Sequence, residues 1–199
     1  GDTVRVEPGE YVEQVVVTDG VDLVARVPGS VTISRPPDLE PGAAGLIAGG
    51  SKPARISGLR VSSAQADADS TAVRLTGAGA FLELLEISGP HERAVALDPG
   101  ASVTMQGGRV EVSGTVVTVP EGAHASFVNS IFVRARRAEP DAPPFVVEPS
   151  SRLTLKGNVF AGFAPEIVRG LAPLRRQEVL EGNTIVPPPA PPGRPGRRG

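Results

Sequence analysis

The sequence predicts an all-β protein in which short parallel strands wind into a solenoid, a parallel β-helix of about seven or eight coils. The main observation is a repeated apolar pair whose two members stand five residues apart. Successive copies begin 26, 23, 22, 28 and 25 residues after one another. Repeats of 22–28 residues built from short β-branched strands are typical of solenoids. The six copies are Ile56 with Val61, Leu82 with Ile87, Met105 with Val110, Phe127 with Phe132, Leu155 with Phe160, and Leu180 with Ile185.

A second apolar column follows the first five copies and shows the in–out alternation of β-strands. Gly and Pro supply 45 of the 199 residues (24 plus 21), enough for a corner after each short strand. The chain lacks the L-x-x-L-x-L spacing of leucine-rich repeats. Pro165 and Pro173 limit the stretch 164–182 to one helical turn. The members of the second column are Val73-x-Leu75, Val95-x-Leu97, Val117-x-Val119, Phe145-x-Val147 and Ile167.

The composition excludes several classes of protein. The chain has no Cys, which excludes a disulfide scaffold, a thiolate zinc site and a cysteine nucleophile. Its formal net charge of −2 provides no basic footprint for nucleic acid, so we expect no nucleic-acid partner. No apolar run approaches the roughly 20 residues that span a bilayer, so we expect no membrane insertion in this segment.

Residues 1–17, with the sequence GDTVRVEPGEYVEQVVV, resemble the opening coil of proteins of the pectin-lyase-like superfamily. The later segments Leu155-Lys-Gly-Asn-Val-Phe160 and Leu180-Glu-Gly-Asn-Thr-Ile185 are similar to the G-N-x-[F/I] coils of that superfamily. The resemblance covers residues 1–186 and implies a single-stranded, right-handed parallel β-helix. Because the superfamily includes lyases, esterases, epimerases, adhesins and non-catalytic modules, the resemblance specifies function much less closely than fold.

The first functional expectation from this resemblance is a non-catalytic module that binds a ligand, senses it or acts as a spacer. Such modules belong to larger bacterial surface or receptor-like proteins, kinase-linked receptors included. The resemblance implies a carbohydrate or protein ligand. It also implies an extracytoplasmic location, as a secreted protein or as the ectodomain of a membrane protein.

Two segments are expected along the chain: the β-helix over residues 1–186 and a tail over residues 187–199. The tail has six prolines and three arginines, the composition of an extended linker. At the other end, strand-like sequence begins at Val4. Because an open strand edge can pair with another chain, this start indicates either end-to-end self-association through the N-terminal edge or a module cut from a longer protein whose upstream part is missing.

Two asparagines occupy equivalent positions in the last two coils. Asn158 and Asn183 follow the glycine of each G-N pair, and Ser130 holds the same place one coil earlier. Asparagine side chains that point inward at this corner can bond the buried backbone groups of neighbouring coils. The sequence therefore predicts a short structural asparagine ladder.

A candidate binding surface arises where two coils are enlarged at the same corner. The enlarged stretches are residues 62–71 and 134–144, and the segment 88–94 lies between them on the same edge. Insertions gathered on one side of a solenoid often form its binding face. We expect a lateral binding surface there, formed by Asp67, Asp69, His91, Arg93, Arg134, Arg136 and Arg137.

A catalytic alternative rests on Pro90-His91-Glu92-Arg93, which resembles part of the D-P-H-[D/E] motif of alginate C5-epimerases. That resemblance implies a polysaccharide-modifying enzyme of the uronan epimerase or lyase type, with His91, Glu92 and Arg93 as catalytic residues. Such chemistry needs a base, an acid and a cation that neutralises the uronate carboxylate. Here Gly89 replaces the leading aspartate of the motif.

The sequence supports no cofactor and no metal. The only two histidines, His91 and His124, fall on different coils, and Asp67-Ala-Asp69 lacks an evident third ligand for Ca²⁺. Aromatic side chains, on which sugars stack, are scarce. With the other phenylalanines in buried columns, the aromatic rings left to face solvent are those of Tyr11, Phe81 and Phe163.

Overall fold

Three parallel β-sheets form a solenoid of about seven turns in the computed structural model of the protein, which describes residues 1–63, 70–135, 142–163 and 166–188. Each of the seven coils contributes one strand to each sheet, and one further strand follows the last coil, so the predicted parallel β-helix is confirmed. We number the coils 1 to 7 from the N-terminus and call the sheets A, B and C in the order in which each coil enters them.

The strands are short because each one crosses a single face of the solenoid. Sheet A contains β1 (Thr3–Val6), β4 (Asp22–Ala25), β7 (Ala54–Ser57), β10 (Ala80–Glu83), β13 (Ser102–Gln106), β16 (His124–Val128) and β19 (Arg152–Lys156). Sheet B contains β2 (Gly9–Val12), β5 (Val31–Ser34), β8 (Leu59–Ser62), β11 (Glu86–Ser88), β14 (Arg109–Val112), β17 (Ile131–Arg134), β20 (Val159–Ala161) and β22 (Thr184–Val186). Sheet C contains β3 (Val15–Thr18), β6 (Ala44–Gly49), β9 (Thr71–Leu75), β12 (Arg93–Leu97), β15 (Thr115–Val119), β18 (Phe145–Val147) and β21 (Val168–Arg169).

The predicted apolar columns are the inward ladders of these sheets. In sheet A the partners are Ile56, Leu82, Met105, Phe127 and Leu155. In sheet B they are Val61, Ile87, Val110, Phe132 and Phe160, and the last partner, Ile185, is 44% exposed. Because parallel strands stack residue on residue about 4.8 Å apart, each ladder removes neighbouring aliphatic side chains from water.

Two details of the predicted columns are wrong. Leu180 is not in a strand: it ends the helix α1 (Pro173–Leu180), from which it packs against the core. The sheet-C column ends at Val168, the partner of Phe145, and not at Ile167. Both errors arise after coil 6, where the spacing between columns changes.

The helix α1 is longer than the predicted single turn. It has eight residues, and Pro173 stands in its first turn, where a proline loses no helical hydrogen bond. Val179 is buried, so α1 covers part of the C-terminal end of the core. Among the described residues, none forms a helix with the length and apolarity that crossing a membrane requires.

The aromatic side chains concentrate in coils 6 and 7. The rings of Phe127, Phe132, Phe145 and Phe160 are fully buried, with centroids of contacting pairs 5.2–5.7 Å apart. The expectation that Phe163 faces solvent is wrong, since it is 1% exposed. Phe81, 48% exposed, faces outward as expected.

The asparagine ladder is confirmed between sheets A and B. The Asn158 side chain accepts from the Ser130 amide (2.9 Å) and donates to the Phe127 carbonyl (2.8 Å). The Asn183 side chain accepts in turn from the Asn158 amide (2.9 Å). One coil earlier, the Ser130 hydroxyl accepts from the Gly108 amide (3.2 Å). The ladder thus satisfies backbone groups that the solenoid buries at this corner.

Replacing Asn158 with alanine is expected to lower the free energy of unfolding by about 2 kcal/mol, since buried backbone groups lose their partners. Chemical denaturation of the variant measures this loss. Asn129→Gly is the matched control, because Asn129 has a positive φ of 51°, which glycine adopts freely. The free energy of unfolding of this variant should stay within about 1 kcal/mol of that of the original protein. Equal losses in both variants would contradict the ladder's role.

Candidate functional site

The corner between sheets B and C is enlarged in three coils, of which the sequence analysis identified two. Between inward positions, 13 residues separate Phe132 from Phe145 in coil 6, and 12 separate Val61 from Val73 in coil 3. In coil 2, 13 residues separate Ile33 from Leu46, and this third enlargement was missed. Coils 4, 5 and 7 have seven or eight residues at this corner. The third enlargement is visible in the sequence once the apolar columns are extended back to Ile33 and Leu46 in coil 2.

Buried polar side chains gather at this enlarged corner. In the described parts of the chain, seven polar or charged residues are buried, and Ser130 and Asn158 belong to the ladder between sheets A and B. Because burying polar groups costs free energy, such a cluster points to a specific structural or functional requirement. The other five lie where sheet B passes into sheet C: Arg35, Ser63, Ser70, Thr71 and His91.

Arg35 holds the coil-2 connection in place. It follows β5 directly and is 5% exposed. Its Nε donates to the carbonyl of Ala43 (3.1 Å), and its Nη2 donates to the carbonyls of Leu39 (3.1 Å) and Glu40 (3.0 Å). The guanidinium therefore fixes the loop that leads to sheet C through bonds to main-chain oxygen.

His91 lies inside the corner, whereas the sequence analysis expected it on the lateral surface. Its side chain is 0% exposed, and neither ring nitrogen makes a hydrogen bond. Burial, together with the positive charge of Arg35, lowers the pKa of His91 to about 4, against the opposing effect of the Ser88 backbone. The imidazole is therefore neutral at pH 7.

The backbone around His91 is tied to the coil below it. The Ser70 hydroxyl lies 3.4 Å from the carbonyl oxygen of Pro90, to which it donates, and accepts from the amide of Glu92 (3.3 Å). The Glu92 side chain is exposed and that of Arg93 is half-buried. The structure thus separates the three residues of the catalytic alternative, with one inside the corner and two outside.

Of the remaining predicted binding residues, the structure describes Arg93 and Arg134. Arg134, at the end of β17, donates to the carbonyl of Ala142 and stacks over the ring of Phe163, 4.9 Å from its centroid. It thereby anchors the coil-6 connection, a structural contact that the sequence did not indicate. Arg93 lines a depression of about 230 Å³ on sheet C. The other four predicted residues, Asp67, Asp69, Arg136 and Arg137, lie outside the described residues.

A groove of about 490 Å³ opens on the sheet-B side of the corner, across coils 1 to 3. None of its residues was among the predicted binding residues. Their signal in the sequence is weak, because serines on outward strand positions are ordinary surface residues. The groove is lined by Glu10, Val12, Ser34, Arg35, Pro37, Ser62 and Ser63.

The described residues contain no group of three or more His, Asp or Glu side chains that could hold a metal ion. Fold and site define the chain as a β-solenoid of the parallel β-helix class with a polar, enlarged corner. No protein-family model matches the chain, and no curated protein matches it in sequence.

Proposed function

We propose that the chain is a non-catalytic β-helix module of the pectin-lyase-like superfamily that binds a carbohydrate at the corner between sheets B and C. The observation that carries the proposal is the cluster of five buried polar residues beneath the enlarged connections of this corner. As in the asparagine ladder, buried side chains such as Arg35 and Ser70 bond main-chain groups, and here they fix the segments that form the surface of the corner. The module would belong to a larger bacterial surface or receptor-like protein and lie outside the cytoplasm.

Binding is favoured over catalysis by the position of His91. A general base must come within hydrogen-bond reach of the proton that it removes. The His91 ring is fully enclosed, and its neighbour Arg35 is engaged by loop carbonyls. These two side chains support the corner from within, and the groups that meet a ligand are those on its surface.

Self-association through the N-terminal edge stays a prediction. Strands β1, β2 and β3 each pair on one side only, with β4, β5 and β6. An unpaired strand edge of this kind can accept another strand.

Affinity electrophoresis tests the proposed function. The protein is run in native gels that contain galactomannan, xylan, polygalacturonate or alginate, and retardation by at least one of them is expected. Arg93→Glu, at the corner, should weaken that retardation about fivefold, because a single surface contact is worth about 1 kcal/mol. The matched control is Arg152→Glu on sheet A, which is exposed and remote from the corner.

Three results would contradict the proposal. Migration unaffected by every polysaccharide would exclude the carbohydrate ligand. Equal effects of the Arg93 and Arg152 substitutions would remove the sheet-C side of the corner, where Arg93 lies, as the binding face. Turnover of alginate or polygalacturonate that disappears in a folded His91→Ala variant would establish the catalytic alternative instead.

A further inference from the structure

The groove over coils 1 to 3 has a column of side chains in strand register. Val12, Ser34 and Ser62 are direct partners on β2, β5 and β8, with Glu10 two residues before Val12 on β2. The column faces outward, and Ser88 continues it on β11 beyond the groove. Neighbouring members stand about 4.8 Å apart along the solenoid axis, so the serines form a regular array of hydroxyl groups beside Val12.

The hydrogen bonds of this column fix the direction of its protons. The Ser34 hydroxyl donates to the Glu10 carboxylate, with 2.6 Å between the oxygens. The hydroxyl oxygens of Ser34 and Ser62 are 3.2 Å apart. A hydroxyl has a single proton, and that of Ser34 is directed at Glu10, so Ser62 is the donor in the second bond. The relay of hydrogen bonds thus runs from Ser62 through Ser34 to Glu10, and the protons of both serine hydroxyls are engaged in it.

The groove therefore presents acceptors to a ligand. With their protons committed, the two serines offer oxygen lone pairs, and Glu10 offers a carboxylate. Arg35 also lines the groove and carries a positive charge, but it is 5% exposed, and three of its donor contacts go to the carbonyls of Leu39, Glu40 and Ala43, so the polar groups open to a ligand are those of the serines and Glu10. A ligand carboxylate, phosphate or sulfate would face acceptors and a negative charge there.

We infer that this groove binds a ligand rich in hydrogen-bond donors and without negative charge, namely a segment of neutral or amino sugar. The hydroxyl or ammonium groups of the sugar donate to Ser62, Ser34 and Glu10. Val12, 60% exposed, and Pro37 supply apolar surface for the sugar's carbon face. The inference rests on the proposed function and adds to it the location and polarity of the site. The polarity excludes the negatively charged uronate chains from this groove.

Amide chemical-shift mapping by NMR tests the inference with three defined probes. These are cellohexaose as the neutral probe, a glucosamine hexamer as the cationic probe and a hexagalacturonate as the anionic probe. We expect the neutral or the cationic probe to shift the amides of Ser34 and Ser62 and the anionic probe to leave them unchanged. Glu10→Gln removes the carboxylate charge, so it should weaken the binding of the glucosamine hexamer more than the binding of cellohexaose.

Single serine substitutions then separate the groove from the rest of the column. Ser62→Ala should lower the affinity for the probe that binds by about fivefold, which is the equivalent of one hydrogen bond. Ser88→Ala is the matched control, with the same residue and register one coil beyond the groove. Its affinity should equal that of the original protein.

The outcomes distinguish this inference from the proposed function. Shifts at other residues of the corner, insensitive to Ser62→Ala, would overturn the groove and leave carbohydrate binding in place. Groove binding of the hexagalacturonate as tight as that of the other probes would overturn the polarity. If no probe binds the folded protein, the inference fails, and the electrophoresis with polymeric glycans decides the proposed function separately.

Discussion

Val110→Asp is expected to lower the free energy of unfolding by at least about 4 kcal/mol, the cost of replacing a buried aliphatic side chain with an unpaired charge. Val110 is 0% exposed and stands between Ile87 and Phe132 in the inward ladder of sheet B. Each of these neighbours is apolar and offers no donor to a carboxylate. Urea denaturation followed by circular dichroism measures the loss.

Two companion variants make this result interpretable. Gln106→Asp places the same side chain on the exposed face of the same coil and should change stability by less than about 0.5 kcal/mol. If Val110→Asp fails to fold, Val110→Ala keeps the prediction measurable, with a loss of about 2 kcal/mol expected for a truncated core residue. A Val110→Asp protein as stable as the Gln106→Asp protein would show that the assigned inward register is wrong.

The apolar ladders could be predicted because stacked coils place equivalent residues directly above one another. A side chain such as Leu82 must resemble Ile56 and Met105, its partners in the neighbouring coils, so the pattern is visible as a repeat in the sequence. The same logic found the asparagine ladder. It failed after coil 6, where α1 takes the place of a sheet-A strand and carries Leu180.

The candidate site was harder to predict, because corner residues follow no period. Nothing in the local sequence of His91 states whether its ring points inward or outward, since alternation ends with the strand β11 (Glu86–Ser88). Arg35 illustrates the same difficulty: its partners are main-chain carbonyls, which every residue type supplies. Sequence reasoning therefore located the corner but not the structural roles of the side chains that organise it.

The polarity of the corner also depends on contacts between coils that no single coil reveals. Ser34 and Ser62 are separated by 28 residues, and their hydroxyls meet only because β5 and β8 are adjacent strands. The direction of their relay is set one coil further down, by Glu10. The site's chemistry is thus a property of the stack of coils.

His91 is expected to make the protein acid-sensitive, because its pKa of about 4 in the folded state lies below the ordinary value of 6.5. Below pH 6.5 the unfolded chain binds a proton at this histidine that the folded corner does not accept. Stability contributed by the neutral, buried ring is therefore full above pH 6.5 and falls as the pH drops towards 4. The total loss approaches about 3 kcal/mol, and about 2 kcal/mol of it falls between pH 7.5 and pH 5.

The physical reason lies in the surroundings of the ring. A protonated imidazole at this position would be a second buried cation beside Arg35, and the Ser88 backbone offsets the cost of burying its charge only in part. His91→Leu removes the titrating group at similar volume. Between pH 7.5 and pH 5, the free energy of unfolding of this variant should therefore fall by about 2 kcal/mol less than that of the original protein. Urea denaturation at the two pH values measures the difference, with His124→Leu, exposed on sheet A, as the control for loss of a histidine. Parallel losses in the original protein and the His91→Leu protein would mean that the ring accepts its proton in the folded state, and the corner would then be open to water.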